Sequence, residues 1–364
     1  MALGLAVSAV PPAAVWAAGT PVQSTWHARQ ARIYAAQAAG NDGADVLVAV
    51  LDGWVDVAHK DFEGRVRTGV DCVGGTCVPG QHQDACWHGT HVAGLIASSS
   101  FGVAPRARLL PVQVLTADTS GGCVGDADDV AAGLRFAVDA GARIVNLSLG
   151  SELADQSTTS PIAAAVQYAG SRNVLVVFSA GNNDAPVANS YGGAALIVAA
   201  TGPSGHLASY SQYGAGISLA APGGDGTRTD QEGRPNCQGA TDCVTSLLSG
   251  NRYGVAAGTS MAAPQVSGTA ALLLGQDLTR TREQLAAQLT STARPLAEAG
   301  AGLLDASAAL GVTPLGTPAR SRDAERALPG ATSPGMGSGT ADVAVLLLLL
   351  AGAGQAVAHR RVFR

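Results

Sequence analysis

Three short stretches carry side chains whose types suit a single reaction. The apolar run "VLVAVL" ends in Asp52, "WHGTHVAGLIAS" holds His88, and "GTSMAAPQVSG" holds Ser260. A serine hydroxyl is a poor nucleophile until a base takes its proton, and that base must be oriented by a buried carboxylate. Taken singly, each residue has a plainer reading: Asp52 before Gly53 is a common turn, His88 a polar core residue, and Ser260 an N-cap behind Gly258. Taken together they supply nucleophile, general base and orienting acid, in the chain order Asp, His, Ser.

A metal hydrolase is the rival chemistry on the same segment, where Asp84, Cys86, His88 and His91 crowd together. Short mixed clusters can bind zinc, but "HGTH" sets its histidines three apart and lacks the glutamate of H-E-x-x-H. No metal and no cofactor is expected.

The elements that must position these residues read as alternating strands and helices. Apolar strand-like runs fall at Val46–Leu51, Arg108–Leu115, Arg143–Leu147, Val174–Phe178, Leu196–Ala200 and Ile217–Ala220. Helical stretches fall at His88–Ala97, Asp126–Ala140, Pro161–Ala169, Ser260–Leu274 and Arg282–Ser291. Continuous apolar strands separated by helices imply an α/β fold with a mainly parallel sheet covered on both faces. Such sheets place their chemistry at the carboxyl ends of the strands, and Asp52 stands at such an end.

A chain of 364 residues, 47% hydrophobic, can bury a large core. Its net charge of −5, without a basic cluster in the body of the chain, gives no electrostatic case for nucleic acid. The six cysteines, Cys72, Cys77, Cys86, Cys123, Cys237 and Cys243, include no C-x-x-C. Their even number favours disulfides in an oxidising compartment over a zinc ribbon.

From about Gln30 to Leu310 the chain resembles the subtilisin-like serine peptidases. The family's motifs occur in family order: "VAVLD", "HGTHVAG", "GVAP", "NLSLG", "SAGNN", "ASYSQYG", "LAAPGG" and "GTSMAAPQVSG". The resemblance implies the subtilisin-like three-layer fold, with Asp52, His88 and Ser260 as catalytic triad. It also implies an oxyanion hole of Asn182 and the Ser260 backbone N–H. Substrate is expected to pair as an added strand along Ser148, Leu149 and Gly150, beside a pocket wall of Ser179, Ala180 and Gly181. That wall carries no charge, which favours uncharged residues before the cut bond. Partners are then protein or peptide substrates, and the enzyme is expected to be a monomer.

The chain departs from the family pattern in four ways. Gly53 and Trp54 follow the aspartate where Thr or Ser and then Gly are usual, and Trp87 precedes the histidine where a small residue is usual. These changes leave open a catalytically inactive binding protein on the same fold. The calcium-binding insertion after the histidine helix is missing, so Asp61 alone is not expected to hold an ion that takes six to eight oxygens. Nor does any segment resemble the family's folding pro-domain. The family placement puts Cys86 beside the histidine and Cys123 on the loop flanking the same side of the cleft, so the expected disulfides are Cys72–Cys77, Cys86–Cys123 and Cys237–Cys243.

Both ends suggest export. Residues 1–19 resemble a signal peptide without its positive start. The peptidase domain is expected over 20–310 and a Pro-, Gly- and Ser-rich flexible linker over 311–340. Residues 341–358 are expected to form an apolar transmembrane or sorting segment, and 359–364 a basic cytoplasmic tail. The expected location is the cell envelope, anchored at the C-terminus with the catalytic domain outside the cytoplasm.

Overall fold

The apolar run that ends in Asp52 forms the central strand of the molecule. β1 (Leu47–Asp52) is buried along its whole length. Its residues alternate between two cores, Val48 and Val50 with one and Leu47, Ala49 and Leu51 with the other. A strand buried on both faces needs no polar side, which is why it reads as a continuous apolar run. The computed structural model describes residues 25–312 except 85, 120–121, 150–159, 188–190, 227, 230–234 and 237–240.

On one side β1 pairs with β4 (Arg108–Gln113), followed by β2 (Val70–Asp71) and β3 (Val78–Pro79). A short hairpin, β5 (Thr116–Ala117) with β6 (Cys123–Val124), continues from β4. On the other side of β1 lie β7 (Ile144–Leu147), β8 (Leu175–Ser179), β9 (Leu196–Thr201) and β10 (Leu219–Pro222), in that order. Every pairing in this sheet is parallel except β2 with β3. Two further antiparallel pairs follow: β11 (Arg228–Thr229) with β12 (Pro235–Asn236), and β13 (Val244–Leu248) with β14 (Arg252–Ala256).

The chain leaves β1 towards β4 and later returns to its opposite side as β7. The strand order therefore reverses at β1, and the carboxyl ends of β1 and β7 border the crevice where such sheets bind ligands. The register sets Leu51 opposite Leu147 and Asp52 opposite Gln113.

Two helix layers cover the sheet. α1 (Trp26–Gln30), α2 (Ile33–Ala38), α3 (His88–Ala97), α6 (Thr259–Gln276), α7 (Arg282–Ser291) and α8 (Ala306–Ala309) supply the core that holds Val48 and Val50. α4 (Ala127–Asp139) and α5 (Pro161–Ser171) pack on the other face. α4 is amphipathic, with Asp128 and Asp129 in the first turn, where negative charge complements the helix dipole. α3 is buried on all sides and α6 nearly so, as expected for helices apolar all round. α7 begins with a capping box between Thr281 and Gln284.

The sequence-based helices over His88–Ala97 and Arg282–Ser291 match α3 and α7 residue for residue. The expected strand Ile217–Ala220 lies instead at Leu219–Pro222, because the Ile217 N–H closes a turn onto the Gly214 carbonyl. Disulfides Cys72–Cys77 and Cys86–Cys123 are formed as expected. Cys243 is disulfide-bonded, while Cys237 lies outside the described residues. The expected signal, linker and C-terminal segments also lie outside them. Among the described residues no helix is long and apolar enough to cross a membrane.

Candidate active site

Asp52 is fully buried at the end of β1, and two donors meet its carboxylate. His88 Nδ1–H points at both oxygens, 2.8 and 2.9 Å away, and the Gly53 backbone N–H donates to Oδ1 at 2.7 Å. An Nδ1 that donates to a carboxylate leaves Nε2 as the unprotonated, proton-accepting nitrogen. That Nε2 is buried and has no hydrogen-bond partner among the described residues. His88 is the first residue of α3, and the half-buried Trp87 stacks edge-on against both His88 and His91.

Ser260 is the second residue of α6, and Gly258 stands at the N-cap. Its hydroxyl donates to the Ser148 carbonyl at 3.2 Å and makes no bond to His88. As the N2 residue, Ser260 also contributes one of the backbone N–H groups that a helix cannot satisfy internally.

Asn182 follows β8 and faces the same helix end. Its Oδ1 accepts from the Thr259 N–H at 2.9 Å and from the Thr259 hydroxyl at 3.0 Å, which fixes the amide. The Nδ2 donor is turned towards Gly258, where an added Cβ would sit 3.4 Å from it. Gly258 has φ +153°, a conformation L side chains rarely adopt, so the backbone calls for glycine here. Asn182 Nδ2 and the Ser260 N–H thus both stand at the N-terminal end of α6.

Ser148 and Leu149 continue from β7 with fully buried side chains. The Ser148 hydroxyl receives the Asn146 amide at 3.0 Å and donates to the Ser260 carbonyl at 2.8 Å. Ser179 Oγ–H donates to the Leu149 carbonyl at 2.6 Å, and the Gly181 N–H to the Thr259 hydroxyl at 3.0 Å. Ala180 is buried behind them, its N–H on the Val198 carbonyl. Gly150 lies outside the described residues.

The donors of the rival metal reading are otherwise engaged. Cys86 is in its disulfide, His88 is on Asp52, and the Asp84 oxygens accept the Cys86 N–H at 2.9 Å and the Ala117 N–H at 3.0 Å. Burial, and then the neighbouring His88, lower the pKa of His91 to about 3. The Asp61 carboxylate lies 3.1 Å from the Tyr253 hydroxyl through either oxygen. No group of three metal-ligating side chains forms among the described residues.

Residues 43–317 match the subtilase family. The chain belongs to this family of serine endopeptidases. This subtilase is 36% identical over 297 residues to subtilisin BL from Lederbergia lenta, covering 78% of its own length and 97% of that protein. It is 33% identical over 267 residues to thermitase from Thermoactinomyces vulgaris, covering 71% and 85% of the two chains. With the thermophilic serine proteinase from Bacillus sp. (strain AK1) it shares 34% identity over 267 residues, 70% of its own length and 59% of that protein. Its fold superposes on that of a solved protease from Pseudoalteromonas arctica PAMC 21717 with TM-score 0.67 at 28% identity, over 81% of this subtilase and 99% of that chain.

Two contributors to the site escaped the reading of the sequence. Thr259 anchors Asn182, and Pro264 frees the Ser260 carbonyl for Ser148. Pro264 was the readable one of the two: a proline inside a helix leaves the carbonyl four residues earlier without its donor.

Proposed function

We propose that this subtilase is an exported serine endopeptidase that cleaves protein or peptide substrates through Asp52, His88 and Ser260. The observation that carries the reading is the pairing of His88 Nδ1 with both Asp52 oxygens while Nε2 stays unpaired. Ser260 Oγ attacks the peptide carbonyl as its proton passes to Nε2. The oxyanion takes hydrogen bonds from the Ser260 N–H and Asn182 Nδ2. Collapse expels the amine, which takes the proton from His88 and leaves an acyl-enzyme. Water then repeats the sequence and releases the acid. Substrate main chain pairs along Ser148, Leu149 and Gly150, next to Ser179, Ala180 and Gly181.

The disulfides support an oxidising compartment outside the cytoplasm. Residues 341–358 and the arginines that follow are proposed as the anchor or sorting signal. Deleting 341–364 is expected to release soluble enzyme; an untrimmed full-length protein that fractionates as soluble contradicts the anchor.

One observation favours the alternative of an inactive binding protein: the Ser260 hydroxyl rests on Ser148 and not on His88. Catalytic hydrogen bonds are often loose before substrate arrives, which makes that geometry compatible with activity. Labelling by a fluorophosphonate and hydrolysis of casein, each against Ser260→Ala, decide between them. Wild-type protein that is folded yet labels and cleaves no faster than Ser260→Ala is the inactive protein.

A further inference from the structure

Gly53 is the residue where the chain parts from its relatives' usual Thr or Ser, and the structure gives a reason. A Cβ on Gly53 would fall well inside contact distance of the Cys86 sulfur and 3.0 Å from the Cys86 Cβ. The sulfur occupies the space of the missing side chain. On its other side the same backbone is pressed by α3: a Cβ on Gly89 would lie 2.6 Å from the Gly53 carbonyl oxygen and 2.9 Å from that of Trp54. Gly53 is therefore clamped between the disulfide and the start of the histidine helix, and its N–H is the group that donates to Asp52 Oδ1.

The disulfide also closes a ring around the Asp52–His88 pair. The Asp52 carbonyl accepts from the Val114 and Leu115 N–H groups at 2.8 and 3.2 Å. The chain runs on through β5 to Cys123 at the start of β6, crosses the disulfide to Cys86, and reaches His88 two residues later. Asp84 bridges the same two segments alongside the sulfurs, through the Cys86 and Ala117 N–H groups. Both cysteines are fully buried, so this is a packed support and not a surface staple.

We infer that the Cys86–Cys123 disulfide and Gly53 act as one positioning unit that sets the Asp52 carboxylate against His88, the sulfur standing in for the absent side chain. The inference rests on the proposed peptidase reading. A misplacement of the order of 1 Å at a reacting pair costs about 100-fold in rate, so the unit governs turnover more than binding.

The test compares five proteins made in full length: wild type, Gly53→Ser, Cys86→Ala/Cys123→Ala, the triple variant, and Ser260→Ala as the blank. Each is read by thermal melting, by kcat and KM on a peptide substrate, and by fluorophosphonate labelling. Gly53→Ser, with its disulfide intact, is expected to lose about 10- to 100-fold in kcat with KM nearly unchanged. Removing both sulfurs is expected to lower kcat as well, and the triple variant to regain most of what Gly53→Ser loses, because its hydroxymethyl group fills the vacated space. Unchanged kcat in Gly53→Ser overturns the inference. So does a triple variant no faster than Gly53→Ser, or a disulfide-free protein whose melting temperature falls while kcat holds. If the proteins without the disulfide do not fold, kcat and KM of Gly53→Ser, which keeps it, decide. Wild type no faster than Ser260→Ala overturns the peptidase reading and this inference together, whereas the other failures strike this inference alone.

Discussion

The Ser148 hydroxyl donates to the Ser260 carbonyl at 2.8 Å because Pro264 has no N–H with which to do so. A proline defect in α6 thereby becomes a tie between that helix at Ser260 and the end of β7. The tie continues inward, since Asn146 donates to Ser148 and accepts from Ser267.

Ser148→Ala leaves the buried Ser260 carbonyl without a donor and is expected to cost about 1–3 kcal/mol. Ser148→Ala/Pro264→Ala restores a helical N–H to that carbonyl and should recover much of the loss. Urea unfolding of the two variants beside wild type measures both; a single variant as stable as wild type shows that the tie contributes nothing.

Asn182 has an acceptor and a donor that substitution can separate. Its oxygen holds Thr259, and its nitrogen, turned towards Gly258, is the proposed oxyanion donor. Asn182→Asp keeps the acceptor and loses the donor, so stability should hold while kcat falls by about 10²–10³, the magnitude known for one oxyanion donor in a subtilisin. Asn182→Ala should lose both stability and turnover. Equal kcat in Asn182→Asp and wild type would remove Asn182 from the oxyanion hole.

Acid should unfold this protein through two histidines outside the reacting pair. Burial lowers the pKa of both His27 and His91 from 6.5 to about 3. Between those values the unfolded chain takes up protons that the folded chain refuses. Their stability is therefore complete above about pH 6.5 and is lost as pH falls towards 3, at up to about 1.4 kcal/mol per pH unit for each histidine. Unfolding free energies at pH 7.5 and 4.5 for wild type and His91→Gln test this. The variant should show a smaller difference between the two; equal differences reject the role of His91.

Chelators are expected to leave the melting temperature unchanged, because the Asp61 carboxylate is met by the Tyr253 hydroxyl. Tyr253→Phe should cost about 1–3 kcal/mol by leaving the buried Asp61 side chain without that donor. A fall of many degrees with a chelator would instead reveal a bound ion.

Much of the site was readable because its signals are local. The run into Asp52, the helix from His88 and the helix around Ser260 each announce themselves within a dozen residues. Other parts depend on distant partners. α1 and α2 are too short to persist alone, and are held by Trp26 on the Cys243 carbonyl, Gln30 on Thr201 and Arg32 on Asp305. Gly53 reads as a loss until Cys123, far along the chain, brings the disulfide against it. The β13–β14 hairpin was legible but passed over: Ser249, Gly250 and Asn251 separate two apolar runs, a turn signature.

Ser148 and Leu149 turn their side chains wholly into the core. The strip they form is consequently blind to identity: it presents the same peptide backbone whatever residues occupy it, and its sequence answers to the interior it fills. On the proposed peptidase reading, choice among substrates then falls to side chains off that strip, and the half-buried indole of Trp87, edge-on to His88, stands beside the proposed base.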